Sequence, residues 1–284
     1  MSPSPTEPTP LAGLRQWPRA VGRAVRGWRG RVPRHTLLIG SQGVLGWGTG
    51  VPNTVEARDA APFACDSFDA WCVAHPGSDA RVLVSGHLLH SLVIDPALQL
   101  HGDDDAVRRY AQQQFGHYHG APARQWPLAV WSDAAGAGAC ALHALDLATL
   151  QSTAAEHDVR LRSLAPLWSA GLGSLTTCVP ALAAPGRHAL ALVEATLVTW
   201  MVVDAGRIQA LQQRYLDVAR TAALADVLDP LVAESGPLQA PPIVVGWGLA
   251  DSGHAAPLQA RVWAPLSHPT AHADWVLDTM RVAA

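Results

Sequence analysis

Apolar positions along this chain come in short runs broken by glycine, with single stretches of helical spacing between them. The run "TLLIGSQGVLGWG" at residues 36–48 reads as two strands, 36–39 and 44–47, turning through Ser41-Gln42-Gly43. Its glycines Gly40, Gly43 and Gly46 also suit the opening of a dinucleotide-binding fold. That fold needs a helix directly after the glycines, because the helix N-terminus supplies N–H groups to the phosphates. Here Gly48, Gly50 and Pro52 follow, which excludes a stable helix, and Gln42 stands where G-x-G-x-x-G requires its second glycine. The pattern is that of a hairpin.

The folded part is expected to begin near His35. Residues 81–94, "RVLVSGHLLHSLVI", read as a strand pair or as one long strand interrupted by Gly86. A helix follows, with Asp103, Asp104 and Asp105 at its positive end and a stop at Gly116 or Gly120. Residues 126–131 and 138–144 form an antiparallel pair by their pattern. Residues 145–157 place Leu147, Leu150 and Ala154 on one helix face, 159–164 are a short strand, and 166–174 a second helix. A Pro/Gly break at 180–186 precedes three strands in "HALALVEATLVTWMVVDAGRIQALQQRY", turning at Glu194-Ala195-Thr196 and at Asp204-Ala205-Gly206. A helix from 216 to 229 is expected to end or kink at Pro230, followed by strands at 243–245 and in "QARVWAPL". Strand runs alternating with single helices, twice over, predict a two-lobed mixed α/β protein.

Charge changes the picture at the N-terminus. Seven arginines (Arg15, Arg19, Arg23, Arg26, Arg29, Arg31, Arg34) oppose one acid, Glu7, in the first 34 residues, so this tail carries +6. The remaining 13 arginines and 22 acids give the body −9, and the whole chain −3. Residues 1–34 are expected to be a disordered Pro/Arg-rich tail. Its arginines interleave with Trp17, Val21, Val25 and Trp28, so binding to an anionic membrane or an acidic partner would induce a basic, amphipathic helix. Arg15, Trp17, Arg19, Arg23, Arg26, Trp28 and Arg29 are the contact residues this reading names; a solvated linker is the alternative. An acidic body argues against nucleic-acid binding. No apolar stretch reaches the length of a membrane span.

Catalytic motifs are missing from the sequence. It holds no phosphate-binding P-loop and no G-x-S-x-G elbow. His87 and His90 on one strand would face opposite sides, and His117 and His119 fall at a helix end; ordinary polar roles suit all four. Cys65, Cys72, Cys140 and Cys178 lack C-x-x-C spacing and are expected to be buried free thiols.

Three stretches carry a resemblance: "ALHALDLATLQSTAAEHDVRLRSLAP" (141–166), "ALALVEATLVTWMVVDAGRIQALQQR" (189–214), and "VVGWGLADSG" followed by "ARVWAP". Their order resembles the actin-like cytoplasmic proteins of type IV pilus and type II secretion assemblies, the PilM and GspL family of the actin/hexokinase/Hsp70 superfamily. The resemblance covers roughly residues 35–284. It implies a two-lobed actin-like (ribonuclease H-like) fold, with lobes at 35–184 and 185–284. Active ATPases of the superfamily carry an acidic residue and glycines in the first hairpin and an Asp-x-Gly in the second; here Ile39-Gly40-Ser41-Gln42-Gly43 has no carboxylate and Glu194-Ala195-Thr196 lacks the glycine. Gly246 and Gly248 are left as a candidate approach to adenine. The resemblance therefore implies a pseudo-ATPase scaffold with no cofactor, no metal and no catalytic residues, cytoplasmic and peripheral at the inner membrane. Its implied partners are the tail of a bitopic inner-membrane protein and a hexameric motor ATPase. A divergent ATP-binding enzyme of the same superfamily is the alternative.

Overall fold

The computed structural model describes residues 34–49, 63–100, 102–133, 136–249 and 262–265. The first hairpin forms as the glycines dictate. Strands β1 (Arg34–Gly40) and β2 (Gly43–Thr49) pair antiparallel, with exposed Ser41 and Gln42 between them. Gly43 has φ of +131°, and a Cβ there would lie 2.7 Å from the Cys65 carbonyl oxygen, so only glycine fits.

Strand β3 (Phe63–Cys65) leads to α1 (Phe68–Ala74), whose first turn is capped by the Ser67 hydroxyl accepting from the Ala70 N–H at 3.1 Å. Next come β4 (Asp79–Val84), a 3₁₀ turn at Gly86–Leu88, and β5 (Leu89–Ile94). Helix α2 (Asp104–His119) begins at Asp103, whose carboxylate accepts from the Ala106 N–H, and stops at Gly120. Strands β6 (Leu128–Asp133) and β7 (Gly136–Leu142), helix α3 (Leu147–Glu156), strand β8 (Arg160–Pro166) and helix α4 (Leu167–Cys178) complete the first half. The second half holds β9 (Arg187–Glu194), β10 (Leu197–Asp204), β11 (Arg207–Tyr215), α5 (Thr221–Glu234), β12 (Ile243–Trp247) and β13 (Val262–Pro265).

The two halves repeat one topology. The first sheet runs β3-β2-β1-β4-β8 and the second β11-β10-β9-β12-β13. In each, two antiparallel pairings lead from the edge to the founding strand, and two parallel pairings continue beyond it. A third sheet, β5-β7-β6, is inserted between β4 and β8 and packs on α2 through Val107, Ala111 and Phe115.

One continuous core joins the two large sheets. Leu37, Val82 and Leu83 of the first sheet share it with Leu190, Leu192 and Met201 of the second, and Leu172 and Leu175 of α4 contribute to it. The second sheet's other face packs Trp200, Val198 and Val202 against Leu224, Leu228 and Leu231 of α5. Burial on both faces explains the near-continuous apolar run of β10, interrupted by Thr199.

Of the two readings of residues 81–94 the strand pair holds, its members in different sheets because the 3₁₀ turn at Gly86–Leu88 redirects the chain. The bounds of the last helix need correction. Helix α5 starts at Thr221, not 216, because the Leu216 N–H donates to the Thr196 carbonyl at 2.7 Å and holds Leu216 to the sheet. Nor does Pro230 end this helix, which continues to Glu234; Pro230 is exposed and lacks the N–H that would bond the Asp226 carbonyl. The tail, including Arg15, Trp17, Arg19, Arg23, Arg26, Trp28 and Arg29, lies outside the described residues.

Candidate functional site

The turn after β9 lies where the two halves meet. The second-half turn between β9 and β10 is Glu194-Ala195-Thr196-Leu197. The ends of β4 and β12 approach it, through Ser85-Gly86-His87 and Trp247-Gly248 respectively.

Glu194 closes a strand whose neighbours are aliphatic, and it is only 3% exposed. Its carboxylate accepts from the Ser85 hydroxyl at 2.5 Å and from the Gly86 N–H at 3.0 Å. Its carbonyl accepts from His87 Nε2 at 2.9 Å. Burial pushes the Glu194 carboxyl above its ordinary pKa, and the Ser85 and Gly86 hydrogen bonds oppose that rise. Gln213 Nε2 donates to the Gly86 carbonyl at 3.0 Å, and the His87 ring lies 5.8 Å from that of Tyr215.

Ala195 adopts a left-handed φ of +53°, despite its side chain. Its N–H donates to the Trp247 carbonyl at 2.9 Å. A Cβ on Gly248 would meet the Ala195 Cβ at 2.9 Å, and one on Gly246 would lie 2.2 Å from the Val193 carbonyl oxygen. Both glycines thus serve close packing of β12 on β9 and its turn.

His90 on a strand and His117 and His119 at a helix end are where the sequence suggested, and His87 is not. His87 lies on the 3₁₀ turn and not on a strand. His90 on β5 is stacked between His119, at the end of α2, and His143, with centroids 4.1 and 4.3 Å away; Trp126 touches all three rings. Burial, then the neighbouring His143 and His119, lowers the His90 pKa to about 4. His143 is lowered too, mainly by burial. His117 is exposed. Among the described residues no group of three or more metal-ligating side chains is placed to hold an ion. Cys72 and Cys140 are buried and Cys65 is half-buried, all as free thiols.

Sequence reasoning found Glu194 but missed Ser85, His87 and Gln213. The available signal was a lone carboxylate in "ALALVEATLVTW", which demands a buried partner. Nothing local says that the partner is 109 residues away.

No protein-family model matches the chain, and no curated protein does. Solved structures do resemble it. A Bacteroides thetaiotaomicron protein with an actin-like ATPase fold and unknown function matches at 10% identity and TM-score 0.54, over 89% of this chain and 96% of that one. A chain of the PilM–PilN type IV pilus biogenesis complex matches at 12% identity and TM-score 0.56, over 90% of this chain and 100% of that one. The cytoplasmic domain of EpsL, an inner-membrane component of the Vibrio cholerae type II secretion system, gives 12% identity and TM-score 0.49, over 89% and 95%. At identities this low the likeness establishes the fold: the chain is an actin-like α/β protein.

Proposed function

We propose that this actin-fold chain is a non-catalytic scaffold of a type IV pilus or type II secretion-like assembly, cytoplasmic and peripheral at the inner membrane. Its two lobes divide near residue 185. The observation that carries the non-catalytic reading is the engagement of the β9–β10 turn. A magnesium-bound triphosphate needs oxygen ligands and free backbone N–H groups. Here the Glu194 carboxylate is spent on Ser85 and Gly86, and the Ala195 N–H on Trp247. These residues do not fit a nucleotide.

The assembly reading rests on the likeness to a chain of the PilM–PilN complex. It gives this chain, as partners, the cytoplasmic tail of a bitopic inner-membrane protein and a hexameric motor ATPase. Among the described residues no helix is long and apolar enough to cross a membrane.

Calorimetry or thermal shift with Mg·ATP tests the non-catalytic reading. A genuine site at a ligand concentration 100 times Kd stabilises the native state by about 2.7 kcal/mol. No shift is expected, and a saturable one would turn the reading to a divergent ATP-binding enzyme. Membrane contact is assigned to the tail, whose +6 charge is spread among Arg15, Arg19, Arg23, Arg26 and Arg29 and interleaved with Trp17 and Trp28. Flotation on anionic vesicles is expected for the full chain and lost on deleting residues 1–34. Equal flotation of both would remove the tail from the account.

A further inference from the structure

We infer that Ser85, Gly86 and His87 of the first half and Glu194 and Gln213 of the second form a clasp that holds the two halves in one orientation. Four hydrogen bonds cross between them, and they run in both senses. Ser85 and Gly86 donate to the Glu194 carboxylate, His87 donates to the Glu194 carbonyl, and Gln213 donates to the Gly86 carbonyl. Gly86 therefore has both its amide and its carbonyl engaged by the opposite half.

Packing at this point leaves no slack. A Cβ on Gly86 would sit 2.6 Å from Leu197 Cδ2, 2.9 Å from Glu194 Oε1 and 3.1 Å from Gln213 Nε2. Gly86 is buried, and Ser85 and Glu194 are each 3% exposed. Parting the halves here would strip all four bonds together. The contact joins the end of β4 in the first half to the turn after β9 in the second. The clasp shares the Glu194 bonds with the non-catalytic reading above, but the two are tested apart: the ATP titration decides that reading, and amide exchange decides the clasp.

The test is hydrogen exchange by mass spectrometry on the full chain. Peptides over residues 84–88 and 194–197 are followed beside peptides over 224–231 as an internal control. In the native chain the Gly86 amide is expected to exchange with the slow class. Glu194→Ala should accelerate exchange at both clasp peptides together by about tenfold or more, while residues 224–231 keep their rate. Gln213→Ala removes one crossing bond from a half-exposed side chain, so it serves as the second variant should Glu194→Ala fail to fold. It should raise exchange at 84–88 without touching 224–231. Unchanged exchange at 84–88 in a folded variant overturns the clasp, and so does an even rise across all peptides.

Discussion

Trp200→Ala is expected to cost about 3–5 kcal/mol of unfolding free energy. Trp200 is fully buried on β10, on the face that packs against Leu224, Leu228 and Leu231 of α5. Its indole Nε1 donates to Ser235 Oγ at 3.0 Å, and Ser235 Oγ donates to the Leu231 carbonyl at 2.6 Å. The side chain thus fills the space between sheet and helix and also fixes the C-terminal end of α5. Trp200→Phe separates the two roles. It keeps most of the apolar volume and loses the indole donor, so its expected cost is nearer 1–2 kcal/mol, about the worth of one buried hydrogen bond plus a small void. Urea denaturation of both variants gives the comparison. A Trp200→Ala midpoint indistinguishable from the parent would mean that the second half unfolds without α5 docked on its sheet.

The same region shows why parts of the fold were legible. The run from β9 to β11 is readable because two turns interrupt otherwise continuous apolar strands, and Asp204-Ala205-Gly206 supplies the left-handed residues Ala205 and Gly206. Helix α2 is readable because Asp103 caps it and Gly120 ends it. Strand β3 and helix α1 went unseen because three and seven residues are too short to show a period. Their place is fixed from a distance, by Trp71 and Cys72 packing into the core against the sheet. The pairing of residues 81–94 was left open because one 3₁₀ turn decides between one strand and two, and its hydrogen bonds are invisible in the pattern of apolar positions. At the site, the lack of a nucleotide motif in the two hairpins is a local fact of the sequence, whereas the engagement of Glu194 by Ser85 and Gly86 is a tertiary pairing with no local trace.

Acid is expected to destabilise this protein before it protonates most carboxylates. His35, His90 and His143 all have pKa values lowered from 6.5, by burial first and by neighbouring histidines second. A base with a depressed folded pKa binds fewer protons folded than unfolded. Its contribution to stability is therefore intact above the unfolded value and is lost as pH falls toward the folded one. For His90 that window runs from 6.5 down to about 4. The full shift converts to about 3 kcal/mol, and solvent screening at a half-exposed ring reduces the expected loss to about 1–2 kcal/mol. Glu194 acts with the opposite sign. Its raised folded pKa means that the folded state takes up a proton first, so its contribution improves as pH falls through that value and is complete below the unfolded 4.5. Between pH 6.5 and 4.5 the three histidines act against Glu194, and His90 carries the large shift among them. Unfolding free energy measured at pH 7.5 and pH 4.5 should fall for the parent chain. His90→Asn lowers stability at both pH values by removing the middle ring of the stack, so the diagnostic quantity is the difference between them. That difference should shrink, because the variant has one fewer base to protonate on unfolding. An undiminished difference would show that the His119–His90–His143 stack is not the seat of the acid sensitivity.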